Sequence, residues 1–202
     1  MHAKTAAAVL GVDIAAVTKE QRQLAKAVNF GLLYGQGAKG LVGYAYSAYG
    51  VDMTLEQAKA ARQAFFNAYP DLASWQCRQG REAKWTRKAI TPAGRIRDFR
   101  KEASGFRYTE ALNTPISGGA AEVLMATLGI LDHKLGTLDA KLVNVVHDEL
   151  VLEVAEHDAP ATRKIVEAAM FEGYLLIFPG GENSVTDLVE AHAGTNWGAA
   201  KR

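Results

Sequence analysis

Between residues 18 and 37, apolar side chains recur at Leu24, Val28 and Leu32, each four positions after the last. That spacing predicts an α-helix with one side committed to a core. Thr18 followed by Gln21 forms a capping box at its start, and Gly35 and Gly37 supply the conformational freedom to end it. A second series with the same spacing, Arg22, Lys26, Phe30 and Tyr34, lies roughly 200° around the helix from the first. The apolar stripe is enough to dock the helix, so two cations and two aromatics in one line are left for another use.

The remaining pattern is helical for about two thirds of the chain. Residues 3–10 read as a helix and 11–18 as a connection. A short helix around Leu41 to Tyr49 ends at Gly50, and Thr54 caps a longer one that runs to Tyr69 and stops at Pro70. Asp71 to about Arg87 continues as helix, and residues 89–100, with Pro92 and Gly94 between β-prone stretches, predict a hairpin-like basic loop. Pro115 to Gly119 read as an interruption ahead of a helix from about Ala120 to Leu135. Then come two β-rich runs separated by His147 and Asp148, an amphipathic helix from Ala159 to Phe171, and a last strand over residues 184–192. The fold class expected is α+β, mostly helical, with a soft boundary near residue 107.

Composition adds little until it is mapped along the chain. The 202 residues are 49% hydrophobic, enough for a core, and the single cysteine, Cys77, excludes an internal disulfide framework and fits a cytoplasm-like compartment. No apolar run is read as approaching the length of about 20 residues that spans a bilayer, so no membrane role is expected. The net charge of +1 hides a polarity. Residues 78–107 hold ten Lys or Arg against three acids, whereas residues 108–202 hold six against fourteen. Such a split marks either a polyanion-binding segment beside an acidic, metal-binding one, or two solvated faces.

The segment VVHDEL sharpens the choice. Tight hairpin tips favour Asn-Gly or Asp-Gly, and this one has neither. A histidine and two carboxylates between apolar runs are costly near a core unless a cation neutralises them, and magnesium prefers carboxylate oxygens completed by water and substrate phosphates. A solvated acidic turn is the alternative. Arg22 and Lys26 could hold a polyphosphate as fork and point charge, and Phe30 and Tyr34 could face a sugar or base. Metal site, phosphate clamp and base platform together describe a nucleoside triphosphate.

RQLAKAVNFGLLYG resembles the fingers-helix motif of family A DNA polymerases, the DNA polymerase I class, and VHDE resembles that family's palm hairpin. HAKTAAAVLGV, FFNAYPDL, TPAGRIR, LNTPISGGAAEVLM and the terminal GTNW are similar to it as well. The resemblance implies a fingers-like helical subdomain over residues 1–107 and the C-terminal part of the palm, with part of its antiparallel sheet, over 108–202. It implies template-directed nucleotidyl transfer on primer-template DNA by two magnesium ions. Arg22 and Lys26 would contact the incoming dNTP, Lys26 also protonating the leaving pyrophosphate. Phe30 would pack on the deoxyribose, implying poor acceptance of dideoxynucleotides, and Tyr34 would sit at the nascent base pair. Asp148 would bind the metals with Glu149 assisting. His147 and Asn113, together with Arg95 and Arg97 of the basic loop, would contact DNA.

The chain departs from the family pattern in three places. The palm strand that carries the first metal-binding aspartate, and the thumb, are expected before His2 and are not in this sequence. Ser117 stands where the family has glutamine, and Thr109 where it has arginine, so fewer minor-groove contacts are expected. The expectation is a catalytic half that works with an upstream polymerase fragment or by self-association, its unpaired sheet edge favouring both. A non-catalytic nucleotide- or DNA-binding module is the alternative.

Overall fold

The computed structural model describes residues 2–136, 138–182 and 188–201. The chain forms two compact units: Met1–Ile90 with Ile96–Thr114, and Thr91–Arg95 with Pro115–Arg202.

The first unit is a cluster of helices. Helix α1 (His2–Leu10) leads through a short 3₁₀ turn to α2 (Lys19–Leu33), followed by α3 (Ala38–Tyr49), α4 (Leu55–Ala68) and α5 (Pro70–Thr86). The predicted capping box of Thr18 with Gln21 is present on α2, and the predicted Thr54 cap of α4 is completed into a second box by Gln57. Gly50 ends α3 in the left-handed conformation, φ 63°. Val28, Leu32, Leu41, Ala58, Ala61 and Phe65 pack as one core, so the apolar stripe of α2 docks as its spacing requires, with Val28 and Leu32 fully buried. Strands β1 (Lys88–Ile90) and β2 (Ile96–Asp98) make the predicted basic hairpin. A second core of Ala83, Ala89, Phe99 and Ala111 lies beneath it.

Helix α6 (Tyr108–Lys134) is continuous, which corrects the interruption expected at Pro115 to Gly119. Proline removes one backbone donor, and the Thr114 hydroxyl supports the preceding turn by donating to the Glu110 carbonyl at 2.8 Å. Gly118 and Gly119 admit close neighbours: a Cβ on the first would strike Thr91 and on the second Phe178 and Pro92. They are packing positions here, not a break. Continuity also overturns the expectation that no apolar run approaches bilayer length, since by length and composition α6 is sufficient to cross one. Glu122 within it is nonetheless almost fully buried against protein, receiving hydrogen bonds from the Thr91 hydroxyl and, at 2.9 Å, the Ala93 amide.

In the second unit, β3 (Ala140–Val146) and β4 (Glu149–Val154) pair antiparallel around a turn at His147 and Asp148, as predicted. The register slips between Leu142 and Asn144. Helix α7 (Ala159–Ile177) runs six residues past its expected end at Phe171. Val166 and Ala169 of α7 form a core with Leu131 and Leu135, against which Leu150 and Leu152 of β4 pack. The strand expected over 184–192 falls partly on residues 184–187, outside the described residues, and 188–192 are not a strand. A short helix α8 (Trp197–Ala200) follows.

Candidate nucleotide-binding helix and acidic hairpin

The predicted site residues fall into groups on separate elements. On α2, Arg22 and Phe30 are exposed, and Lys26 and Tyr34 are partly so, all on the side away from the buried stripe. Tyr34 ends the helix, its amide donating to the carbonyls of Leu32 and Phe30. No side-chain hydrogen bond or ion pair among the described residues engages Arg22 or Lys26. Two cations followed by an aromatic face are therefore open to solvent on a helix whose reverse side is held rigidly.

Two anchors hold that helix which the hydrophobic pattern does not reveal. Gln76, buried on α5, donates to the carbonyls of Leu32 at 2.7 Å and Leu33 at 2.9 Å, so that it clasps the end of the helix where intrahelical donors run out. The second is a polar relay from α1. The Thr5 hydroxyl donates to Asn29 Oδ1 at 2.9 Å, and with its only proton so committed it accepts from the Tyr69 hydroxyl at 3.0 Å. Asn29 Nδ2 then donates to His2 Nδ1 at 2.7 Å. A nitrogen that accepts carries no proton, so His2 is neutral. Burial lowers its pKa first, and the cations of Lys26 and Arg22 lower it further. Its ring sits 5.9 Å from that of Phe30, so His2 borders the exposed stripe. The signal for it was the pairing of His2 and Thr5 three residues apart on one face of α1.

The end of α2 also depends on two glycines. Gly35 has φ 79°, and a Cβ there would meet Leu112 and Tyr108. A Cβ on Gly80 would run into the same Tyr108 ring.

At the hairpin tip, His147 and Asp148 are exposed. His147 has φ 56°, the left-handed region where a residue with a Cβ costs about 1–2 kcal/mol. Glycine would relieve that, so the position holds histidine at the expense of local stability, a pattern found at functional sites. No side-chain hydrogen bond or ion pair among the described residues engages Asp148. Glu149 differs: its Oε1 accepts from Trp197 Nε1 at 2.5 Å and its Oε2 pairs with Lys201 Nζ at 2.9 Å, while Lys201 lies 4.4 Å over the Trp197 ring. The hydrogen bonds from Lys201 and then Trp197 hold the Glu149 carboxyl below its ordinary pKa. Among the described residues no cluster of three His, Cys, Asp or Glu could hold a metal. Asp148 thus stands as an exposed tip carboxylate that no side chain among the described residues engages.

The remaining predicted contacts are placed as follows. Arg97, on β2, is bound by Glu102 at 2.6 Å and by Glu110, and those partners raise its pKa. Arg95 is exposed, 3.7 Å from Glu122 and with Nη2 3.2 Å from Met125 Sδ. Asn113 is half-buried on α6.

The sequence matches the family model described as DNA polymerase family A over residues 1–199. The chain belongs to DNA polymerase family A. It is 41% identical over 174 residues to DNA polymerase I of Aquifex aeolicus, an alignment that covers 84% of this chain and 29% of that protein. It is 34% identical over 212 residues to the thermostable DNA polymerase I of Thermus filiformis, covering 100% of this chain and 23% of that one. Among solved structures it is similar to the POL domain of Pol1 from M. smegmatis in complex with DNA primer-template and dNTP. That likeness has a TM-score of 0.75 and 27% identity, over 86% of this chain and 31% of the other. The chain therefore spans less than a third of these family A polymerases, and the mostly helical α+β architecture agrees with theirs.

Proposed function

We propose that this chain forms the dNTP-binding fingers and the C-terminal part of the palm of a DNA-directed DNA polymerase. The observation that carries the reading is α2: Arg22, Lys26, Phe30 and Tyr34 stand on the open side of a helix locked on its reverse face, in a chain matched to family A over residues 1–199. Arg22 and Lys26 bind the triphosphate, and Lys26 is positioned as the general acid for departing pyrophosphate. Phe30 packs on the sugar and Tyr34 meets the nascent base pair. The similarity to a polymerase domain in complex with DNA primer-template and dNTP supports these ligands.

Asp148, exposed at the hairpin tip, would supply one carboxylate to magnesium, the other ligands coming from a complementary polymerase segment. Magnesium, when bound, supplies charge neutralisation for the phosphates. His147, Asn113 and Arg95 line the path of the primer-template. Arg97 acts chiefly as a structural tie, since two carboxylates already occupy its guanidinium. The chain works with a complementary polymerase segment, which would also cover the open hairpin.

The test is primer extension with magnesium, using this chain alone, a polypeptide carrying the rest of a family A polymerase domain alone, and the two mixed. Extension is expected only in the mixture, and Lys26→Ala or Asp148→Ala should reduce it by about 100-fold or more. Extension unaffected by either substitution would refute the assigned roles. Binding of primer-template without extension in any mixture would instead favour a non-catalytic module.

A further inference from the structure

Helix α5 carries a feature that the dNTP site does not use. Trp85 is 89% exposed, more than any other large hydrophobic residue among those described. Arg78, Arg81 and Glu82 share its side of the helix, all within an arc of about 100° at 3.6 residues per turn. The four side chains border one shallow, solvent-open surface. No ion pair among the described residues engages Arg78 or Arg81, and the only side-chain contact of the latter is a hydrogen bond from Nη2 to Cys77 Sγ at 3.4 Å. Lys84 and Arg87 are exposed on the adjoining surface. Glu82 is the single acid on the face.

An indole left in water gains nothing from folding, and neighbouring guanidinium groups without carboxylate partners repel one another. Both features become favourable with one ligand class. A single nucleic-acid strand offers phosphates to the arginines and an unpaired base to the indole face, and such stacking does not depend on base identity. A duplex keeps its bases stacked internally and would leave Trp85 without a partner. A protein partner would need carboxylates facing the arginines as well as an apolar cap.

We propose that Arg78, Arg81 and Trp85 form a binding site for single-stranded nucleic acid, with the strand's phosphates on the two arginines and one base stacked on the indole. The site does not depend on the roles given to α2.

The experiment follows the anisotropy of a labelled oligothymidylate of about 16 nucleotides titrated with the full chain, alongside an abasic phosphodeoxyribose strand of equal length. Trp85→Ala should weaken oligothymidylate binding by about 5-fold or more, and the abasic strand should bind the wild type several-fold more weakly than the oligothymidylate. Replacing Arg78 and Arg81 together by Ala should lower the slope of log affinity against log salt by about 1 to 1.4. Lys59→Ala, which removes an exposed cation of α4, should leave these values unchanged. Circular dichroism and the thermal midpoint should not move in Trp85→Ala, because the side chain is almost wholly in solvent. Equal affinity of Trp85→Ala and wild type would overturn the proposal, as would equal binding of abasic and base-bearing strands. So would loss of self-association in Trp85→Ala with unchanged oligonucleotide binding, the result expected of a dimer surface.

Discussion

Helix α2 and the β3–β4 hairpin both carry residues of the proposed polymerase site, and the chain supports them in opposite ways. The apolar side of α2 is satisfied within its own unit, with Val28 and Leu32 fully buried, Asn29 tied to Thr5 of α1 and the C-terminal end bonded by Gln76 of α5. The hairpin is satisfied on one strand only. Leu150 and Leu152 of β4 join a core, whereas Leu142, Val143 and Val145 of β3 are 39%, 54% and 38% exposed. Part of the edge has been blunted locally: the register slip leaves Val143 without a partner residue, and Asn144 turns its own Oδ1 to accept the Val145 amide at 2.8 Å. The two elements teach that a functional face is held where the surface behind it is buried. For the hairpin, the covering surface has to come from elsewhere.

The largest expected effect tests that contrast directly. Leu32→Ala removes a fully buried side chain and should destabilise the first unit by about 2–5 kcal/mol. Leu142→Ala should cost this chain alone under about 1 kcal/mol, because its side chain already meets solvent. Chemical denaturation of both variants measures the difference. Comparable losses would show that β3 is covered in solution, by a second copy or otherwise, and the contrast between helix and hairpin would fail.

An intermediate effect is expected at Glu122. This carboxylate collects Thr91, the Ala93 amide and Arg95, and so ties the TPAGR turn to α6 within the second unit. Glu122→Ala leaves the buried Thr91 hydroxyl and the Ala93 amide without their acceptor, at a cost of about 1–3 kcal/mol. Glu122→Gln keeps one acceptor oxygen and should lose less. Hydrogen exchange at the Ala93 amide reports the tie itself, and unchanged protection in Glu122→Ala would break the assignment.

These examples show how far the sequence could be read. The α2 stripes, the Thr18 capping box, the Thr54 cap, the basic hairpin and the His-Asp turn were legible because each rests on neighbours a few positions apart, where spacing alone decides geometry. The continuity of α6 was not, since Pro115 and two glycines break a helix by local preference, and only the close approach of Thr91, Pro92 and Phe178 gives them a different purpose. The partners of Gln76, Asn29 and Glu122 lie 24 to 44 positions away, and nothing in a local pattern announces them. The proposed site shows the same division. Its α2 stripe could be read from spacing, whereas the engagement of Glu149 by Trp197 and Lys201, 48 or more positions on, could not.

That engagement supplies the smallest effect and the sharpest view of the hairpin. The Glu149 carboxyl is held below its ordinary pKa by Lys201 and Trp197, so the ionised form is the one the folded state favours. For a carboxyl depressed on folding, the stabilisation is complete above the unfolded-state pKa and is lost as pH falls through the folded one. The link between hairpin and α8 should therefore be constant at neutral pH and should loosen only on acidification, from the ordinary glutamate range downward. Trp197 reports the change, because protonation of Glu149 removes the anion facing its indole N–H and releases Lys201 from the ring. Its fluorescence should show an acid transition that Glu149→Gln abolishes, while Asp148→Asn, on a side chain with no hydrogen bond or ion pair among the described residues, should leave the transition in place. An unchanged transition in Glu149→Gln would mean that the carboxylate is free at the hairpin tip, and the distinction drawn between Asp148 as the available ligand and Glu149 as the tether would be lost.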